Sequence, residues 1–233
     1  MPGNSKKDLE YKMQDRIAII GGTGKEGKGL AYRWAKAGLN IVIGSRQVEK
    51  AQIAADEINQ LLGKSTNPVT GLENHQAADW CEIAVLTVPF SAHVTMLESI
   101  KDCLEGKILV DVTVPIVPPK VTKVQMPEKG SAALEARAVL GENVQIASAF
   151  QNISYERLLN EGDIHCDVLV SGTSKDTRAI VLNLVKLAGM TGWDAGPIEN
   201  SMVAEGLTSI LIGLNNQFGV HDAGIKITGI ERE

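Results

Sequence analysis

The chain has 233 residues, a formal net charge of −5, 44% hydrophobic residues and only 4% aromatic ones. A chain of that length buries on the order of 70% of its unfolded surface, so it needs neither a metal nor a disulfide framework to hold a core. Lys and Arg are scattered rather than clustered, which excludes a groove tracking a phosphate backbone and predicts no nucleic-acid partner.

Residues 1–15 are polar and read as a flexible leader. The absence of any run of about eighteen apolar residues predicts no membrane partner. Cys81, Cys103 and Cys166 are odd in number, widely spaced and outside any C-x-x-C, so the sequence predicts no metal site and no disulfide scaffold, and points to the reducing cytoplasm.

Arg16 to Ile20 is an apolar run of the length of a buried parallel strand, and it leads into Gly21-Gly22-Thr23-Gly24-Lys25-Glu26-Gly27. Gly22, Gly24 and Gly27 fit G-x-G-x-x-G: Gly22 for the tight turn, Gly24 for approach of a pyrophosphate, Gly27 for close helix packing. Gly27, Leu30, Ala31, Trp34, Ala35 and Gly38 then share one helical face, so the helix directs its N-terminal amides at the phosphates. Thr23, Lys25 and Glu26 lie inside this turn and join the candidate cofactor contacts. At the end of the second strand, Leu39 to Gly44, an enzyme selecting NAD places an acid on the ribose hydroxyl. This chain has Ser45 and Arg46 there, with Lys50 one helical turn on, a set that suits a 2′-phosphate. The expected cofactor is NADP(H); the alternative is that Ser45 caps the next helix and Arg46 is a surface charge.

A second helix runs from Ala51 to Leu62, with a thin strand signal at Asn67 to Leu72 and a helical turn or two at Asn74 to Trp80. Two strands follow, Glu82 to Val88 and Lys107 to Val114, each running to a proline and separated by a helical stretch from Ala92 to Leu104. Ligands of such sheets bind beyond the carboxyl ends of the strands, so Thr87, Val88, Pro89 and Phe90, and Thr113 to Pro115, are expected to border the cofactor; the alternative is that the prolines simply end the strands. Residues 116–130 are proline-rich and predict an irregular loop, a lid or cofactor rim or else a crossing surface excursion. A helix from Ser131 to Leu140 returns the chain to a sixth strand, Val144 to Phe150.

The fold class expected is α/β, a Rossmann doubly wound parallel sheet with a small C-terminal α/β part: an NADP-binding domain over 16–150 and a smaller domain over 151–233 that completes the substrate cleft. The second part predicts a strand at Cys166 to Ser171, a helix from Lys175 to Leu187, a turn at Asp194 to Pro197 and a closing helix. In that last helix Val203, Leu207, Ile210, Leu211, Leu214 and Phe218 make an apolar stripe, while Ser201, Glu205, Thr208 and Asn215 make a polar line, by position a solvated face or else a cleft wall. His75, His93, His165 and His221 fall in no recognised catalytic motif.

The opening GGTGKEGKGLA, the GSR followed by E-K-A, AVLTVPF, the S-A-x-x-x-I at Ser148 to Ile153, the D-A-G-P at Asp194 to Pro197, the N-S-x-x-x-E-x-L-T at Asn200 to Thr208 and the terminal G-I-K together resemble, in order, the NADPH-dependent reductases of the deazaflavin coenzyme F420. The resemblance implies a homodimer and hydride transfer between NADP(H) and a deazaflavin ring, with F420 as second substrate. Thr23, Ser45 and Arg46 match the family's NADP contacts, and Glu205, Leu207 and Thr208, with Ser201 on the same line, match the helix bordering the deazaflavin. Where the family usually has S-A-x-H-T-I-P, this chain has Gln151, Asn152 and Ser154 in place of His, Thr and Pro; Met202 and Gly206 stand for Arg and Ser. Hydride transfer needs oriented rings and excluded water more than an acid or base, so Gln151, Asn152 and Thr208 are the catalytic candidates, as groups that position the acceptor ring, with either amide donating to a ring carbonyl. An NADPH reductase of another acceptor, such as a flavin or ferric chelate, and a non-catalytic NADP-binding sensor are the alternatives.

Overall fold

Alternate residues of the first strand, β1 (Arg16–Ile20), serve two different cores. Ile17 and Ile19 join one apolar cluster while Ala18 and Ile20 join another, the period-two signature of a strand covered on both faces. The computed structural model describes residues 16–63, 67–159, 162 and 164–230, so the leader expected over 1–15 lies outside the described residues.

From β1 the chain passes through α1 (Lys25–Lys36), β2 (Asn40–Ser45), α2 (Val48–Leu62), β3 (Thr70–Glu73), α3 (Asn74–Trp80), β4 (Ile83–Leu86), α4 (His93–Ile100), β5 (Ile108–Asp111), α5 (Ala132–Leu140) and β6 (Gln145–Ser148). The first six strands are parallel in the order β3-β2-β1-β4-β5-β6. A short α6 (Tyr155–Leu158) leads to β7 (Asp167–Gly172), α7 (Lys175–Leu187) and β8 (Thr191–Pro197), and the chain's last helix is α8 (Ser201–Phe218). β7 pairs antiparallel with β6 and parallel with β8, so the second part extends the same sheet to eight strands. This is the doubly wound α/β architecture the sequence implies.

One core holds Trp34, Leu30, Val181 and Val185, where α1 and α7 cover one face of the sheet; the other holds Leu97, Ile100, Ala133 and Ala136 from α4 and α5 on the opposite face. Trp34, fully buried, donates through Nε1 to the Leu184 carbonyl at 2.8 Å and meets Phe150 edge-on at 5.7 Å. Truncating such a side chain to alanine costs about 3–5 kcal/mol.

Several elements differ from their sequence reading. β4 stops at Leu86 and β5 at Asp111, short of Pro89 and Pro115, because beyond them the backbone leaves the ladder to form the site. The helical stretch between them is α4 flanked by 3₁₀ turns at Phe90–Ala92 and Lys101–Cys103. The turn expected at Asp194 to Pro197 is the end of β8: a register shift opposite Val170 and Ser171 absorbs Ala195, and Gly196 takes φ 87° without leaving the sheet. Residues 116–130 carry no regular element and lie along α8, where Gly206 leaves room for Val124 and Gly213 for Thr122.

The largest correction concerns α8. Ser201, Glu205 and Ser209 face inward, whereas Val203, Ile210, Leu214 and Phe218 from the apolar stripe are 38–67% exposed. The N-terminal half of the polar line is buried, with Thr208 and Asn215 half-buried, while of the apolar stripe Leu211 is buried and Leu207 half-buried; the line is therefore not a solvated face.

Candidate functional site

Four glycines shape the turn after β1. Gly21, just outside the G-x-G-x-x-G spacing, takes φ 70°, and a Cβ there would lie 2.5 Å from Val88. The left-handed turn therefore belongs to Gly21, while at Gly22 a Cβ would strike the Ile19 carbonyl at 2.7 Å. Gly27 presses on Gly22, where a Cβ would approach Cα at 2.7 Å, so the helix seats directly on the turn. Gly24 differs from the other three: nothing lies within 4 Å of its Cβ position, the open approach a pyrophosphate needs.

Asn74 holds this turn in place. Its Oδ1 accepts from Gly21 N at 3.0 Å, and the missing side chain of Gly44 makes room for it. No motif marks Asn74; its signal in the sequence is a polar residue at the carboxyl end of a parallel strand, where ligands collect.

A cleft of about 870 Å³ opens over the turn, lined among others by Gly21, Thr23, Gly24, Ser45, Arg46, Lys50, Asn74, His75, Val88 and Pro89. Seven of the expected cofactor contacts thus meet in one cavity. At its β2 end stand Ser45 and Arg46, with Lys50 beside them; Ser45 Oγ also accepts from Gln47 N at 3.3 Å, so it anchors the entry to α2 as well. The chemistry of this donor set fits a dinucleotide bearing a 2′-phosphate.

The other turn residues lie outside that lining. Thr87 spends its hydroxyl on the Ile20 carbonyl at 3.2 Å, and Lys25 places its ammonium 4.7 Å above the Tyr155 ring. Glu26 is half-buried in the first turn of α1, and burial pushes its carboxyl up to about 8.

Gln151, Asn152 and Thr208 form a second group beyond the carboxyl end of β6. Asn152 Nδ2 donates to Thr208 Oγ1 at 3.2 Å, and Thr208 donates to the Gln151 carbonyl at 2.8 Å. The three catalytic candidates are therefore neighbours, and Phe150, with φ 73°, makes the bend that brings them there. None of them lines the dinucleotide cleft.

Ser201 and Glu205 are occupied elsewhere. Glu205 accepts from the amides of Ala132 and Ala133 at 2.7 and 3.2 Å, and Ser201 donates to Ser131 Oγ at 2.7 Å, so both secure the N-terminus of α5. Burial and the nearby charges of Asp111 and Glu135 push Glu205 up to about 8 against the pull of its two amide donors. Leu207 is half-buried on α8.

Beneath this group lies a pair that the sequence did not single out: His93 Nε2 and Asp111 Oδ2 are 2.7 Å apart, both side chains fully buried. Burial pulls His93 down, but the hydrogen bond and charge of Asp111, with the charge of Glu135, outweigh it and leave the imidazole raised.

The family model described as "NADP oxidoreductase coenzyme F420-dependent" matches residues 16–115. The F420-dependent NADP reductase of Methanothermobacter marburgensis is 37% identical over 221 residues, 92% of this chain and 99% of the relative. That of Methanocaldococcus jannaschii is 36% identical over 93% of this chain and 99% of its own length. The crystal structure of a candidate F420-dependent NADP-reductase from Arthrobacter sp. FB24 superposes with a TM-score of 0.75, at 24% identity, over 91% of this chain and 99% of that one, a likeness of fold.

Proposed function

The chain belongs to the family of coenzyme F420-dependent NADP oxidoreductases, and on that premise we propose that it transfers a hydride between NADP(H) and the deazaflavin F420. The observation that carries this reading is identity of 37% with an F420-dependent NADP reductase over 99% of that relative, because it extends through the second half of the chain, where NADP binding alone constrains little.

In this reading Arg46 and Lys50 hold the 2′-phosphate, with Ser45 at the same end of the cleft. Thr23, Gly24 and the first turn of α1 take the pyrophosphate, and Val88 and Pro89 wall the cleft beyond it. Asn152 and Thr208 position the second ring, and Gln151, fixed by its bonds to the Asp111 carbonyl and Ser148 Oγ, supports Thr208 from behind through its own carbonyl. Ser201 and Glu205 act one step back, fixing α8 against α5 so that Thr208 is held in place. Bound there, the two rings would supply the chemistry, a hydride passing between carbons with a proton from solvent balancing it at a ring nitrogen of the acceptor. The protein's part is alignment and exclusion of water rather than proton donation.

Two coarser expectations are part of the same proposal. The exposed stripe Val203, Ile210, Leu214 and Phe218 on α8 supports a homodimer that covers it. Three free thiols support a reducing, cytoplasmic setting.

Isotope transfer tests the function. With NADPH deuterated at C4 of the nicotinamide, direct transfer delivers the label to the reduced deazaflavin carbon. Label found in water, or F420 left oxidised, contradicts the proposal.

A further inference from the structure

Two side chains of the second group have spent their donors on the fold. Asn152 Nδ2 donates to the Ala204 carbonyl at 2.8 Å and to Thr208 Oγ1 at 3.2 Å. A backbone carbonyl only accepts, so the amide nitrogen must face α8 and the amide has one orientation. Gln151 repeats the arrangement: its Nε2 donates to the Asp111 carbonyl and to Ser148 Oγ, each at 2.8 Å. A primary amide has two N–H bonds, and in both residues both are used.

What remains is two amide oxygens. Gln151 Oε1 is sealed from solvent and has no partner. Asn152 Oδ1 accepts no hydrogen bond from the described residues either, yet it is not among the sealed atoms, although the residue as a whole is only 5% exposed. From sequence alone these amides are expected to donate to a ring carbonyl. The geometry reverses that polarity, because the group still free at Asn152 is an acceptor. Its orientation is secured twice, by the Ala204 carbonyl and by a Thr208 hydroxyl whose own proton is committed to the Gln151 carbonyl.

We infer that Asn152 Oδ1 is a specificity determinant that accepts a hydrogen bond from a planar amide-type N–H of the bound rings. Two groups carry that chemistry, the carboxamide of the nicotinamide and the imide N–H on the pyrimidine edge of a deazaflavin. Only the second source rests on the function proposed above. A ring lacking the donor leaves Asn152 Oδ1 desolvated without a partner and binds more weakly.

The test compares dissociation constants for two ligand pairs in the wild-type protein, Asn152→Leu and Thr208→Val. One pair is NADP⁺ and its 3-acetylpyridine analogue, in which a methyl ketone replaces the carboxamide. The other is F420 and its imide N-methyl derivative. The expected result is a loss of about 3–10-fold for one analogue in the wild type, falling towards unity in Asn152→Leu, whose similar bulk separates a lost hydrogen bond from a steric clash. Thr208→Val, which frees the amide to turn, should shrink the same ratio and carries the comparison if Asn152→Leu does not melt cooperatively. Wild-type protein that binds both analogues as tightly as their parents overturns the inference, as does a loss that persists unchanged in the variants. Failure to bind F420 at all would strike the proposed function instead, and the NADP⁺ pair would then decide the inference alone.

Discussion

Arg46 is exposed at the rim of the cleft and, among the described residues, has no partner of its own. A guanidinium so placed costs the folded chain little and is available to a phosphate. Arg46→Ala is expected to weaken NADPH binding by about 1.5–3 kcal/mol, the range for a hydrogen bond to a charged group, and to leave NADH unaffected. Titration of both nucleotides against both proteins checks it, and equal losses would refute it. Gly24 offers the complementary substitution, since its φ of −75° suits any residue and a Cβ there meets nothing within 4 Å. Gly24→Val should therefore fold normally while its side chain fills the pyrophosphate's approach. Melting curves should keep the apo transition of the wild type and lose the rise produced by NADPH; a retained rise would place the phosphates elsewhere. The spacing of glycines was enough to find this turn, but it could not assign the left-handed residue. That assignment depends on Gly21 passing under Val88, a contact between segments 67 residues apart.

Among the elements, α3 and α8 hold the site together through single side chains. Asn74→Ala removes the acceptor for Gly21 N at the start of α3 and should destabilise the protein by about 1–3 kcal/mol and weaken NADPH binding in parallel, read from melts and titrations. Unchanged affinity would mean the turn needs no such anchor. On α8, Glu205 has a folded pKa raised to about 8 from 4.5. A carboxyl raised on folding favours the folded state fully below its unfolded pKa, and that contribution is lost as pH climbs through the folded value. His93 and Glu26, also raised, act in the same direction. Thermal stability is thus expected to fall between about pH 4.5 and 8, and Glu205→Gln should flatten the fall; a wild-type profile that rises across this window would contradict the assignment. Helical spacing identified both faces of α8 but could not say which was buried. An apolar stripe normally marks the core, and here the helix N-terminus of α5 needs an acceptor, so Glu205 and Ser201 turn inward beside Leu211 while Val203, Ile210, Leu214 and Phe218 are left outside. Strands and helices with strong periodicity, such as β1, α1 and α7, were legible from sequence. The bulged end of β8 was not, because a glycine and a proline read locally as a turn while the sheet supplies the partners that keep them extended.

For the molecule as a whole, one sheet carries both halves of the site: the cleft lies over β1 and β2, and the amide group lies beyond β6. The apolar side chains left exposed on α8 predict the assembly. Replacing Ile210 and Leu214 together by Asp should convert a dimer to a monomer in sedimentation, whereas a monomeric wild type would refute the proposed homodimer. The central claim is that NADPH and a deazaflavin exchange a hydride on this scaffold. It is tested most directly by following NADPH oxidation with F420, FMN, FAD or ferric citrate as acceptor. Rapid loss of NADPH with F420 alone, and much slower loss of NADH, is the predicted result; an inert F420 beside active FMN or ferric citrate, or tight NADPH binding with no turnover of any acceptor, would contradict it.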